Sequence, residues 1–84
     1  MTNKQHALLL LVSDIEQNYK TKATVFTDMG VLRVDIKIDQ EYTAGGSYNF
    51  IHDENTPHKA EVRLFENLLS LSEGFKPLKS NLYE

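Results

Sequence analysis

His52, Asp53, Glu54 and His58 are the residues whose types and closeness along the chain could do chemistry. Two imidazoles and two carboxylates suit Zn²⁺ or another divalent cation if a loop folds them around one ion. Their spacing matches no zinc motif. The same four residues also read as a polar loop before a helix, with the acids favoured by the positive end of the helix dipole. No metal or other cofactor is expected, and this loop stands only as a secondary candidate for a metal or small ligand.

Ser47, His52 and Asp53 can be written as a nucleophile, base and acid. A triad is defined by geometry rather than residue types, however, and side chains along one strand seldom converge. The chain has no G-x-S-x-G elbow. Gly45-Gly46-Ser47 has the composition of a phosphate cradle, but such a loop must run into a helix N-terminus. A strand follows here, so a hairpin turn is expected. Tyr42, Tyr48 and Phe50 could stack bases on a sheet surface, yet their interruption by Asn and Ser fits a half-buried strand, with the aromatics in the core. Asp35 and Asp39, with Lys37 between them, form a solvated strand face. We expect no catalytic residues and no enzyme.

The elements that must position these residues come from a short chain. Its 84 residues make a single domain. A domain of this size buries only about 60% of the surface its unfolded chain exposes, so its core is thin. The absence of cysteine removes disulfides, thiol nucleophiles and Cys-based metal sites, and favours a reducing, cytoplasmic setting. Nine Lys plus Arg against twelve Asp plus Glu give a formal charge of −3. That lacks the basic excess of a nucleic-acid binder and suits a protein or small-molecule partner. The apolar run Ala7 to Val12 is too short to span a bilayer and is followed by Ser13-Asp14 rather than a cleavage site, so it reads as helix and no membrane insertion is expected.

Thr2 and Gln5 have the spacing of a capping box. Leu8, Leu11, Val12, Ile15 and Tyr19 then mark one face of a helix that fades near Lys20. Lys22 to Thr27 carries β-formers, and Asp28-Met29-Gly30 signals a turn. Leu32, Val34, Ile36 and Ile38 alternate with Arg33, Asp35, Lys37 and Asp39, which predicts a strand with one buried face. A three-residue loop at 28–30 would pair Phe26 with Leu32 on the core side, and we prefer it because it buries more apolar area than a two-residue loop, which would bury Val25. An odd-length loop around Ala44-Gly45-Gly46 puts Tyr48 and Phe50 on the same face as Tyr42 and Ile38. The last helix is expected with Thr56 as N-cap, Pro57 as its first residue, and Ala60, Leu64, Phe65, Leu68 and Leu71 as its stripe. Gly74 should supply a left-handed stop, with Phe75 folding back on the last turn and Pro77 barring resumption. The domain then covers 1–75. Residues 76–84 form a C-terminal tail, mobile unless Leu78, Leu82 and Tyr83 dock.

The expected fold is therefore α+β, in the order α-β-β-β-α, a three-stranded antiparallel meander with two helices on one face. Over roughly residues 3–73 this order resembles that of the double-stranded RNA-binding domain. The resemblance implies a phosphate-gripping basic cluster at the start of the last helix. The chain has Thr56-Pro57-His58-Lys59-Ala60-Glu61 there, a single Lys followed by an acid, so the family's binding residues do not carry over.

Apolar residues off the core stripes point to function more directly. Leu10 falls about 160° from the middle of the first helix's stripe, with Leu9 on its flank, and Val62 and Leu69 lie roughly 100° or more from Leu68. Such residues on both helices of one small domain mark a surface for a partner protein or a second copy. We expect a non-enzymatic protein-binding module: a small regulator or inhibitor that occupies a partner protein through Leu9, Leu10, Val62 and Leu69, with homodimerisation as a further expectation. Its size and acidity suit an accessory protein of a phage or mobile element. The alternatives are a nucleic-acid binder on the α-β-β-β-α scaffold and a ligand- or metal-binding protein using the His52–His58 loop.

Overall fold

The computed structural model describes residues 1–84. Helix α1 (Asn3–Tyr19) is followed by strands β1 (Thr24–Asp28), β2 (Val31–Ile38) and β3 (Gly46–His52), and then by helix α2 (His58–Ser72). The strands form one antiparallel sheet in the order β1-β2-β3. This is the α+β meander read from the sequence.

Alternation along β2 builds the core. Leu32, Val34, Ile36 and Ile38 are buried, while Arg33, Asp35 and Lys37 face water. In β3, Phe50 and Tyr48 lie opposite Val34 and Ile36, and so share the buried face. The connecting loop, residues 39–45, has the odd length that this register requires. Leu8, Val12, Ile15 and Tyr19 of α1 and Leu64, Leu68 and Leu71 of α2 complete a single apolar cluster over that face. Leu11, expected in the stripe, is only partly buried against it. The aromatics belong to this interior: the Tyr48 hydroxyl donates to Ala44 O at 2.6 Å, and Tyr42 meets Tyr19 edge-on at 5.0 Å.

The helices run parallel. Lys4 Nζ reaches Glu61 near the two N-termini, and Asn18 Nδ2 donates to Ser72 O near the two C-termini. The capping box on α1 is complete: Gln5 N–H donates to Thr2 Oγ1 and Thr2 N–H to Gln5 Oε1. At the other end of α2, Gly74 takes φ +96°, Phe75 N–H reaches Ser70 O, and Gly74 N–H reaches Leu71 O, which together form a Schellman stop.

Three local expectations are corrected. The first hairpin has a two-residue loop: Asp28 pairs with Val31, and Met29 and Gly30 both take positive φ, at 50° and 83°. Those are the angles of a type I′ turn, whose twist matches that of the flanking strands. Phe26 therefore lies opposite Arg33 on the outer face, 54% exposed, and Val25 opposite Val34. Apolar burial was a poor arbiter here, because β1 is an edge strand whose residues are all exposed. The second correction is at the start of α2, which begins one residue later than expected, with Pro57 in the N-cap position. Thr56 does not cap it, because its hydroxyl accepts from Asp53 N–H within the preceding turn. Finally, the backbone of Phe75 turns back to Ser70 O, but its side chain, expected to fold back on the last turn, stays largely exposed.

Residues 76–84 run back along β3. Asn49 N–H donates to Ser80 O and Leu82 N–H to Asn49 O, a parallel bridge on the strand's outer edge. Pro77 and Leu82 are buried, Tyr83 is partly buried and Leu78 is fully exposed. Asn67 Nδ2 secures the segment by donating to Leu82 O at 2.7 Å.

Leu82 should thus behave as a core residue. Leu68→Ala and Leu82→Ala are each expected to lose about 2–5 kcal/mol in urea melts, and Leu10→Ala far less. A loss at Leu82 no greater than at Leu10 would mean that the segment does not hold in solution.

Candidate functional site

The helix and strand ends that converge at one pole of the domain carry a buried polar cluster. Period-two alternation continues past Tyr48 and Phe50 to His52, which places an imidazole on the core face opposite Leu32. The first turns of both helices supply its partners. His52 Nε2 lies 2.7 Å from Glu61 Oε2 of α2, and His52 Nδ1 lies 3.3 Å from Gln5 Nε2 of α1. All three residues are buried.

The chemistry of the partners fixes the proton positions. An ionised carboxylate only accepts, so Nε2 of His52 carries the hydrogen. The Gln5 amide cannot turn over, because its oxygen accepts from Thr2 N–H in the capping box and its nitrogen donates to Gly30 O at 2.9 Å. That nitrogen therefore presents N–H to the ring, and also to His52 O at 3.3 Å, and Nδ1 offers its lone pair. A single Gln side chain thus joins the α1 cap, the β1–β2 turn and the end of β3.

Glu61 closes the other side. Its Oε1 accepts from Lys4 Nζ at 3.0 Å, and His58 Nδ1 stands 3.7 Å away, largely in solvent. The hydrogen bonds from His52 and then Lys4 hold the Glu61 carboxyl below its ordinary value of 4.5, against the opposing effect of burial. Beside the cluster is an open cleft of about 360 Å³, lined in part by Thr2, Lys4, His52, Asp53 and Glu61. Every buried side-chain nitrogen and oxygen in the chain has a hydrogen-bond partner.

The expected His52–His58 loop is therefore divided. His52 points inward to Glu61 and Gln5, while His58 and Glu54 are exposed. Asp53 Oδ1 is engaged by Asn55 N–H in its own turn. No three His, Cys, Asp or Glu side chains come close enough to hold a metal ion. Ser47 sits at the opposite end of β3, beside Lys37, so the drawn triad does not assemble. Gly45 N–H is spent on Tyr42 O within the loop and cannot cradle a phosphate. Sequence reasoning missed Gln5 and Glu61. Each stands three residues before a core leucine, Leu8 and Leu64, and so extends an apolar stripe by one turn. That spacing was the available signal.

The apolar surface candidates lie elsewhere. Leu10, Val62 and Leu69 are 70%, 44% and 50% exposed, and Leu9 is half-buried against the core. On α1, Lys4 and Asn18 face α2, so the helical period turns Leu10 to the outer surface and Leu9 to the flank away from α2. On α2, Val62 and Leu69 rise on the side toward α1. No helix is long and apolar enough to cross a membrane. The chain matches no family model, no curated protein and no solved structure.

The Glu61 linkage has a definite sign. A carboxyl held below its unfolded value contributes stability that is present above about pH 4.5 and lost as pH falls through the folded value. Glu61→Gln should therefore lower stability at neutral pH by about 1.5–3 kcal/mol and flatten its decline in acid. Urea midpoints across that range test this, and parallel curves for the two proteins would remove Glu61 from the acid response.

Proposed function

We propose that the chain is a non-enzymatic protein-binding module, a small regulator or inhibitor that acts by occupying a partner protein in a reducing, cytoplasmic compartment. The observation that carries this reading is the exposure of Leu10, Val62 and Leu69 on the outer surface of the helix layer. Leu10 lies midway along α1, and Val62 and Leu69 lie toward the two ends of α2. Apolar side chains in water gain free energy when covered, about 1.5–3 kcal/mol for a fully buried Leu, so residues not needed by the core favour a partner.

The polar pole supports the same reading by what it does internally. His52, Gln5 and Glu61 satisfy one another, which suits a scaffold better than a reaction centre. Asp53 and Glu54 precede α2 and Glu61 lies in its first turn, an acidic setting that works against gripping phosphates there.

Leu10→Glu and Leu69→Glu should keep the native circular dichroism spectrum and lose the partner. The test is affinity capture from the source cells with wild type and both variants side by side, followed by titration of the purified partner. A protein retained by wild type and released by the folded variants is the expected result. Retention unaffected by either substitution, or capture of nucleic acid in place of protein, would overturn the proposal.

A further inference from the structure

We infer that strand β1 is a self-association edge, at which a second copy of this chain adds its own β1 in antiparallel register. The sheet has two edges, and only one is closed. Ser80 to Leu82 bridge to Asn49 on the β3 side, whereas β1 has no neighbour beyond it. The type I′ turn makes Asp28 and Val31 a hydrogen-bonded pair, so Phe26 and Thr24 also bond to β2. Val25 and Thr27 consequently direct their backbone N–H and C=O groups outward. Glu16 Oε2 already accepts from Ala23 N–H at 2.7 Å, so the free run begins at Val25.

Apart from its shortness and the charge of Asp28, this segment lacks the usual safeguards of an exposed edge. Thr24-Val25-Phe26-Thr27-Asp28 contains no proline, no lysine and no bulge, and three of its five residues are β-branched. Its side chains are also self-complementary. A two-fold axis through Phe26 sets Val25 against Thr27 of the second copy, so every outward backbone group of both residues meets a partner. It places the Phe26 rings of the two copies side by side on the outer face, in a close non-hydrogen-bonded pair. Asp28 falls opposite Thr24 of the second copy rather than opposite another Asp28. It also lies diagonally near the second copy's Lys22, so the charges attract across the junction.

The helix side is consistent with the same occupant. Val25 is 46% exposed although it faces the helices, and half-buried Leu9 stands on the α1 flank that Glu16 marks as the β1 side. A second copy would cover both. The junction is one short strand wide, which places the dimer among the small, weak interfaces. Association should appear at high concentration and should not depend on the Leu10 surface.

Sedimentation equilibrium of the full chain, carried to millimolar concentration, is the direct test, with amide exchange followed in parallel. A monomer–dimer equilibrium is expected, with exchange at Val25 and Thr27 slowing as concentration rises. Phe26→Lys sets like charges across the axis, and Val25→Pro removes an outward N–H without touching the β1–β2 ladder. Each should weaken the dimer by about tenfold while leaving the monomer folded. Leu10→Glu should dimerise like wild type, which separates this inference from the partner surface on the helices. A chain that stays monomeric throughout overturns the inference. So does a dimer unaffected by Phe26→Lys whose Val25 and Thr27 amides exchange at a rate independent of concentration, a result that stands even if Val25→Pro fails to fold.

Discussion

A ring nitrogen on the buried face of a strand must find partners or leave the core, and His52 is held in place by both helices at once. An unpaired polar group in that position would cost about as much as several well-made contacts contribute. Satisfying it therefore constrains the rest of the domain. Glu61 must sit in the first turn of α2, Gln5 in the first turn of α1, and the two N-termini must lie side by side. The parallel arrangement of the helices follows from that requirement as much as from the leucines beneath them. The Gln5 amide nitrogen that serves His52 also donates to Gly30 O, which ties the first hairpin to the same pole.

The same pole shows how one residue can have two local duties. Gln5 completes a helix cap with its oxygen and a tertiary tie with its nitrogen. The cap is a local device that many helices have. Here it orients the amide, and the oriented amide selects which imidazole nitrogen carries the proton. Local structure thus sets the chemistry of a residue 47 positions away. The result is a saturated network in which each buried polar group has a partner.

That surface is asymmetric. The C-terminal segment closes the β3 edge and buries Leu82, so the chain's own end does for one side of the sheet what nothing does for the other. The outer face of the helices carries apolar residues, and the open strand carries apolar side chains with unpaired backbone groups. The first offers side-chain burial and the second main-chain hydrogen bonds. They occupy separate parts of the molecule.

The sequence by itself determined the elements, their order and most of the core. The alternation from Leu32 to Ile38, the Thr2–Gln5 box and the Gly74 stop are local patterns, and local geometry decides them. The exposure of Leu10, Val62 and Leu69 was legible for the same reason, since a helix has one period and one buried stripe. The first hairpin was not: β1 is exposed along its whole length, so the choice rested on the twist of a Met29-Gly30 turn rather than on burial. The site was half legible. His52 stood out, but it was grouped with Asp53, Glu54 and His58, its neighbours in sequence. Its real partners are brought to it from the starts of two helices, and Gln and Glu there look like ordinary surface residues until the fold encloses them. Only the tertiary structure decided the polar network, the docking of Leu82 and which strand edge stays open, because each depends on segments that meet only after the chain has folded.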